Sequence, residues 1–432
     1  MALDRDDPSV PADEPWASGR AVADILSEAG YETFAAGGCV RDLLLGLPVH
    51  DIDLATNAHP EQVEAVFQQR GWYTIAVGKA FGVVVVVAPS GANVEVATFR
   101  TDGAYIDGRR PLTVTFSSAR EDVERRDFTI NALLCDLRSG AVIDHVGGRA
   151  DLRSGIVRAV GDPLARLSED RLRVLRGLRF AARFSFRIEA ATWSAIIATR
   201  LSGLSGERLM QELTKALGGP GRSRWLTLLR QSGHLASLCA PLADCVPEVL
   251  DGMAQALDLL ADQDPFSLRL AVWLSPLGVP VARAWLLDQP LPTAVVRSTQ
   301  WLLEHGRVLP ALLGRPLAAR RRLWRHADGR WLGRLIGLLH RAPGQGEAVR
   351  TLVEEAQRDL DAPWTPFLRA EDLMALGLPA GPHLGLVLRE VEDADLEGRF
   401  PDRAAAVAFA RTRIAGAGNP RPNPGESDQG AR

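Results

Sequence analysis

Cysteine is scarce in this chain: four residues in 432 (Cys39, Cys135, Cys239, Cys245), with no C-x-x-C pair and no histidines at zinc spacing. That excludes a disulfide framework and a structural zinc site, and it points to a reducing compartment. Lysine is scarcer still. Lys79 and Lys215 are the only two, so 48 of the 50 basic residues are arginine and any phosphate or base contact falls to guanidinium groups. No sign of charge dominates: 53 acids against 50 bases leave a formal charge of −3. A surface that is basic throughout is excluded, although a local basic stripe is not. The apolar run from Val83 to Pro89 falls far short of the roughly 20 residues that a membrane helix needs. The opening MALDRDDPSVPADEP is acidic and carries prolines but no apolar stretch, so no signal peptide is expected. The reading is of a soluble, cytoplasmic protein with no membrane partner.

Hydrophobic residues make up 46% and charged residues 24%, ordinary for a globular chain, and the length suggests roughly three domains. The pattern changes near residue 150. Before it, short strands and helices alternate: helices over Ala21–Ala29, Val40–Leu45 and Pro60–Gln69, and strands over Glu32–Ala36, His50–Ala55, Trp72–Val77, Gly82–Ala88 and Asn93–Phe99. After residue 160 strand signals almost vanish, and Leu, Ala and Arg recur at helical spacing to about Arg413. The expected class is α+β. The expected segments are a flexible N-terminus (1–19), an α/β head (20–150), a helical neck (151–235), a helical body and tail (236–415) and a disordered end (416–432).

The chemistry concentrates in FAAGGCVRDLLLGLPVHDIDLAT. Asp51 and Asp53 flank Ile52, a spacing that on a strand projects both carboxylates from one face. Two hard oxygen donors side by side suit Mg²⁺, which usually binds through one or two carboxylates plus substrate phosphates. Gly37-Gly38 at a strand end offers backbone N–H groups to a phosphate, and Arg41 stands one turn on with a guanidinium for a bidentate contact. Glu95, in Asn93-Val94-Glu95-Val96-Ala97, is either a third carboxylate of that site, completing a metal site or accepting a proton from an attacking hydroxyl, or an exposed strand glutamate. A second signal is LSEDRLRVLR (167–176), where the three-residue spacing of Asp170 and Arg173 predicts neighbours on one helical face. That spacing also fits a surface ion pair of little consequence. The other reading is a protein-built template. Cytosine and adenine both present an amino donor beside a ring-nitrogen acceptor; a carboxylate and a guanidinium match that edge, whereas guanine and uracil present the reverse.

These residues resemble the class II tRNA nucleotidyltransferases (the CCA-adding enzymes, together with bacterial poly(A) polymerases) over residues 33–217. Gly37-Gly38-Cys39-Val40-Arg41-Asp42 with Asp51-Ile52-Asp53 looks like the family's metal and triphosphate motif, with Cys39 where a small alanine-like residue is common. Phe99–Pro111 is similar to its flexible loop, Arg125–Ala132 to the motif joining sugar and phosphate recognition to the neck, and Asp144–Leu152 to the turn between head and neck. Glu169-Asp170-Arg171-Leu172-Arg173 matches the E-D-x-x-R nucleobase template, Glu207–Lys215 the helix supporting it, and Arg369–Leu388 a tail segment. The resemblance implies a small nucleotidyltransferase-type head with a mixed sheet, then helical neck, body and tail. It implies Asp51 and Asp53 as Mg²⁺ ligands and catalytic residues, and Gly38, Arg41 and Arg126 on the incoming nucleotide. Asp170 and Arg173 would read the base, with Arg176 and Arg179 on the same helix near the phosphates. The implied substrates are CTP, ATP and tRNA, and no protein partner is indicated.

For RNA, the sequence points to Arg315–Arg341, where eight arginines stand against the single acid Asp328, with Trp324 and Trp331 interleaved. Arg320, Arg321, Arg322 and Arg325 are the expected phosphate contacts, and their loss should flatten the salt dependence of RNA binding. Three activities stay open: CCA addition, poly(A) or A-only or C-only addition, and a catalytically inert RNA-binding scaffold.

Overall fold

The computed structural model describes residues 9–78, 82–102, 114–340, 346–362 and 364–417. Most of the expected flexible loop, the first eight residues and the last fifteen lie outside them. The chain divides into two compact units, Met1–Asp258 with Trp285–Leu291, and Leu259–Ala284 with Pro292–Arg432.

The first unit opens with α1 (Trp16–Glu28), β1 (Thr33–Ala36), α2 (Gly38–Leu44), β2 (Asp53–Thr56), α3 (Pro60–Gln69), β3 (Tyr73–Gly78), β4 (Val83–Val87) and β5 (Asn93–Thr98). There follow β6 (Arg100–Asp102), β7 (Val114–Phe116), α4 (Ala119–Glu124), β8 (Leu133–Cys135), β9 (Val142–Asp144) and α5 (Gly148–Ser154). Seven strands form one sheet in the order β3-β4-β5-β2-β1-β8-β9. The sheet is mixed: β2 and β5 run parallel, and the other neighbouring pairs run antiparallel. Its apolar face is built by alternation, as in β4, where Val84 and Val86 are fully buried between half-exposed valines.

Beyond it come β10 (Ile156–Val157), α6 (Pro163–Glu169), α7 (Leu172–Arg183), β11 (Arg187–Ile188), α8 (Ala190–Ala198), α9 (Gly206–Gly218), α10 (Arg222–Gln231), α11 (Leu235–Ala243) and α12 (Pro247–Asp258). The remaining elements are all helices: α13 (Phe266–Leu274), α14 (Val279–Asp288), α15 (Thr293–Gly306), α16 (Leu309–Leu313), α17 (Leu317–Trp324), α18 (Gly329–Leu339), α19 (Gly346–Asp361), α20 (Ala370–Ala375), α21 (Pro382–Leu396) and α22 (Arg403–Ala417). No helix among the described residues is long and apolar enough to cross a membrane.

The expected α+β class, with a mixed sheet followed by helices, is what the structure shows. Three local expectations change. β2 starts at Asp53 rather than His50: its antiparallel partner β1 ends at the Gly37 turn, and the pairing between the two stops there. The stretch Asp144–Leu152 is more than a turn: the Asp144 carboxylate accepts from the backbone N–H groups of Val146, Gly147, Gly148 and Arg149 and so starts α5. Finally, β8 and β9 escape a periodicity reading because three residues are too few to show a period of two, and in β8 Leu133, Leu134 and Cys135 are all fully buried.

Candidate functional site

Asp53 opens β2, and the parallel pairing of β2 with β5 sets it directly opposite Glu95. Ile52 and Leu54, like Val94 and Val96, are buried, so the pleat turns Asp51, Asp53 and Glu95 to the opposite, open face. The acids feel one another. Partial burial pushes the Asp53 carboxyl up to about 6, and Glu95 and then Asp51 act in the same direction against the pull of Arg126. No cage of three or more His, Cys, Asp or Glu stands ready for a metal among the described residues. What exists is an open-edged set of hard oxygen donors whose mutual repulsion a cation would relieve. This suits Mg²⁺ sharing its shell with substrate phosphates.

Beside these acids, β1 passes into α2 through Gly37-Gly38. Gly37 has φ +79°, a region that a side chain rarely enters, and a Cβ there would stand 2.6 Å from Arg126 Nη1. The space where a Gly38 Cβ would stand is bordered by Arg41 Nη2 at 3.6 Å. Arg41 itself is held rigidly. Its Nε donates to Asp42 (2.8 Å), its Nη1 donates to Asn131 Oδ1, and its guanidinium lies against the rings of Phe180 and Phe184. Arg126 is clamped by Asp122 (3.0 Å) and donates to the Asn131 carbonyl, yet its Nε is buried with no hydrogen-bond partner. The sequence-derived nucleotide residues Gly38, Arg41 and Arg126 therefore do converge on one turn.

Asp127 ties this turn to α7. It is buried and accepts from Phe128 N–H, from Asn131 Nδ2 (3.0 Å) and from Arg176 (2.7 Å). Burial alone would raise its carboxyl, but Arg176, Asn131 and Arg173 hold it down at about 2. Arg179, by contrast, points away to Glu212 on α9 (2.7 Å). A three-residue step falls about 60° short of a full helical turn, which separates these two arginines.

Asp170 and Arg173 do not share a helix as their spacing suggests. α6 ends at Glu169; Asp170 is extended (φ −140°, ψ 102°) and its side chain accepts from Leu172 N–H, which helps start α7. Both side chains are still presented at the same helix start. Arg208 on α9 donates to both Asp170 oxygens (3.0 and 2.8 Å), and Arg173 donates to Glu169 (2.6 Å) and to the Arg166 and Arg125 carbonyls. Arg208 Nη1 is buried without a hydrogen-bond partner. Asp170 and Arg173, the pair expected from the sequence to read a base, are thus each oriented by a neighbour and retain hydrogen-bonding capacity.

Comparison with known proteins agrees with this geometry. Residues 33–158 match the family model of the poly A polymerase head domain, and residues 185–244 match the model described as the probable RNA and SrmB-binding site of polymerase A. A CCA-adding enzyme of Geobacillus stearothermophilus is 40% identical over 305 residues, covering 70% of this chain and 72% of its own length. One from Streptococcus pyogenes is 33% identical over 409 residues, covering 90% of this chain and 95% of its own. The chain belongs to the family of CCA-adding enzymes. The crystal structure of the Bacillus stearothermophilus CCA-adding enzyme in complex with CTP superposes with a TM-score of 0.75 at 32% identity, over 94% of this chain and all of that one.

In this CCA-adding enzyme family member the arginines of the basic stripe have acidic partners that its composition does not reveal. Arg320 donates to Glu355 (2.9 Å), and the buried Trp324 donates from Nε1 to the same carboxylate. Arg325 pairs with Asp359 (2.7 Å), Arg321 reaches Asp359 and the Leu396 carbonyl, and Arg322 pairs with Asp393. The local excess of positive charge is largely met by acids of α19 and α21, more than thirty residues away in the chain, which a local charge count does not include. The four arginines expected on RNA phosphates are in the first place the ties between α17, α19 and α21. Sequence reasoning also passed over Asn131, Asp122 and Arg208. Asn131 and Arg208 fall inside the Arg125–Ala132 and Glu207–Lys215 segments, which hinted at them, whereas Asp122 lies just before the first of these and nothing marked it.

Proposed function

We propose that this chain is a template-independent nucleotidyltransferase that adds C, C and A to tRNA 3′ ends from CTP and ATP and releases pyrophosphate. The observation that carries the reading is the pairing of two half-sites in one unit. The Asp53–Glu95 edge beside Gly37-Gly38 suits phosphate chemistry, and the Asp170/Arg173 pair at the start of α7 suits an amino-plus-ring-nitrogen base edge. The curated relatives named CCA-adding enzyme, and the CTP complex among the similar structures, support the same reading.

In this scheme Asp51 and Asp53 hold Mg²⁺, with Glu95 as the neighbouring carboxylate. When bound, the cation neutralises charge on the reacting phosphate and favours ionisation of the attacking 3′-hydroxyl. Arg126 and Arg41 receive the triphosphate, and the partnerless Arg126 Nε finds its acceptor there. Asp170 accepts from the amino group of cytosine or adenine and Arg173 donates to the ring nitrogen. Guanine and uracil leave both groups facing their own kind, acceptor to acceptor and donor to donor, a mismatch costly in a desolvated site. Such an enzyme works where tRNA matures, in the cytoplasm. The test is incubation of the protein and Mg²⁺ with tRNA transcripts ending before CCA, after C and after CC, with CTP, ATP or both. Ordered addition of C, C and A followed by a stop is expected. A long A ladder would instead assign a poly(A) polymerase, and A added only to the CC-ended transcript would assign an A-adding enzyme.

A further inference from the structure

Arg41 leaves the Gly37-Gly38 turn and reaches across to α7. Its guanidinium carbon lies 5.2 Å from the ring centre of Phe180 and 4.8 Å from that of Phe184. Phe180 stands in the last turn of α7 and Phe184 directly follows that helix; their rings are nearly parallel, 6.2 Å apart at 9°. Phe128, next to Asp127, meets the buried Phe180 edge-on (5.9 Å, 81°), which fixes the plane of its ring. Other cations use the same shelf. Arg176 and Arg179 lie over Phe180 (5.3 and 4.6 Å), and Arg183 lies over Phe184 (5.0 Å). Arg176 and Arg179 have carboxylates of their own in Asp127 and Glu212, whereas Arg41 and Arg183 share Asp42 at 2.8 and 3.7 Å.

Arg41 is thus a buried cation held by one shared carboxylate, by Asn131 and by two aromatic faces. An aromatic face attracts a guanidinium through the ring quadrupole while carrying no net charge. A second carboxylate in that place would repel an arriving triphosphate; a ring orients the cation and leaves its charge in force. Nη2 of Arg41, the nitrogen that the Asp42 and Asn131 bonds leave over, borders the Gly38 turn. We propose that Phe180 and Phe184 are positioning residues for nucleotide transfer. They hold the Arg41 guanidinium in the orientation that receives the triphosphate. Triphosphate binding thereby depends on the placement of α7, whose first turn carries Arg173. The inference rests on the function proposed above, in which Arg41 takes the phosphates.

Fluorination separates packing from electrostatics, because it drains the negative ring face with little change of shape. Phe180 and, separately, Phe184 are replaced by mono-, di- and trifluorophenylalanine. Calorimetry in Mg²⁺ gives the Kd of CTP and of inorganic tripolyphosphate, and thermal melts check the fold. Both Kd values should rise stepwise with fluorine number, to about threefold or more in the trifluoro variants, without loss of melting temperature. The rise should occur in both series, since Arg41 lies over both rings while Arg176 and Arg179 lie over Phe180 and Arg183 over Phe184. In an Arg41→Ala background the trend should vanish. The preference for CTP over UTP should stay within about twofold, because the base edge is read elsewhere. Flat affinities overturn the proposal. So does a trend confined to one series or surviving Arg41→Ala, either of which gives the effect to another arginine. Affinities that follow the trend in a chain that transfers nothing to tRNA keep the shelf and refute the proposed function. Ordered transfer of C, C and A with flat affinities does the reverse.

Discussion

Asp127 and Asp53 belong to the same compact unit, and their environments drive them in opposite directions. Asp127 is held at about 2 by Arg176 and Asn131 in spite of its burial. Its contribution is therefore fully present above about pH 4, where the unfolded group is ionised, and is lost as pH falls toward 2. Asp127→Asn leaves the Arg176 guanidinium without its partner and should cost about 3 kcal/mol at pH 7. Urea unfolding read at pH 7 and pH 3 should show the gap to wild type narrowing at the lower pH. Asp53 has the reverse sign. A folded-state value near 6, above the ordinary 3.8, means that stability falls as pH rises from about 4 through 6. Glu95→Gln removes one of the like charges and should raise the melting temperature at pH 7.5 in metal-free buffer but hardly at pH 4, while lowering transfer. Because Asp53 keeps access to solvent, the gain is a screened one. Equal melting of variant and wild type at pH 7.5 would show that the two acids do not repel.

The break between α6 and α7 shows what residue spacing conveys and what it does not. The i, i+3 spacing of Asp170 and Arg173 correctly brings two groups together, but for another reason than a shared helix face. Asp170 competes with the backbone by accepting from Leu172 N–H, ends one helix and begins the next. Asp170→Ala should raise the KM for CTP and ATP and bring GTP and UTP misincorporation up by about tenfold or more, since the polarity filter is gone. Competition assays with all four nucleotides read this out. Unchanged discrimination would move base reading elsewhere. At the other half-site, Gly37 was legible as a turn glycine, whereas the 2.6 Å conflict between its absent Cβ and Arg126 was not. Gly37→Ala strains the turn by about 1–3 kcal/mol and displaces Arg126. The expected result is a larger loss in kcat/KM for nucleotide than in melting temperature.

On the scale of the molecule, the two compact units divide near residue 258, beyond the change of pattern at residue 150. The sheet and the helices through α12 make one unit because junction bonds stitch them. Thr129 N–H donates to the Arg158 carbonyl, Val160 N–H to the Asp127 carbonyl, and Thr129 Oγ1 to Asp151. In the second unit, the arginine stripe gives a prediction contrary to its composition. Arg320→Ala leaves Glu355 without its main partner and should cost about 3 kcal/mol of stability. Its effect on the salt slope of tRNA binding should be smaller than the full unit per phosphate contact expected of a surface arginine. Calorimetry and salt titration together decide it. A clear drop in slope without loss of stability would restore the direct phosphate role.

Residue type and local spacing by themselves determined the fold class, the position of the carboxylates, the glycine turn and the closeness in the chain of Asp170 and Arg173, because each depends on a period of two or 3.6 or on neighbours a few residues apart. Tertiary structure alone decided which charges are spent. Asp53 meets Glu95 across forty residues, Arg176 meets Asp127, Asp170 meets Arg208, and Arg320 meets Glu355. Electrostatic partnership falls off with distance in space, not along the chain. A count of charges along a sequence therefore cannot tell an arginine that waits for RNA from one that holds two helices together.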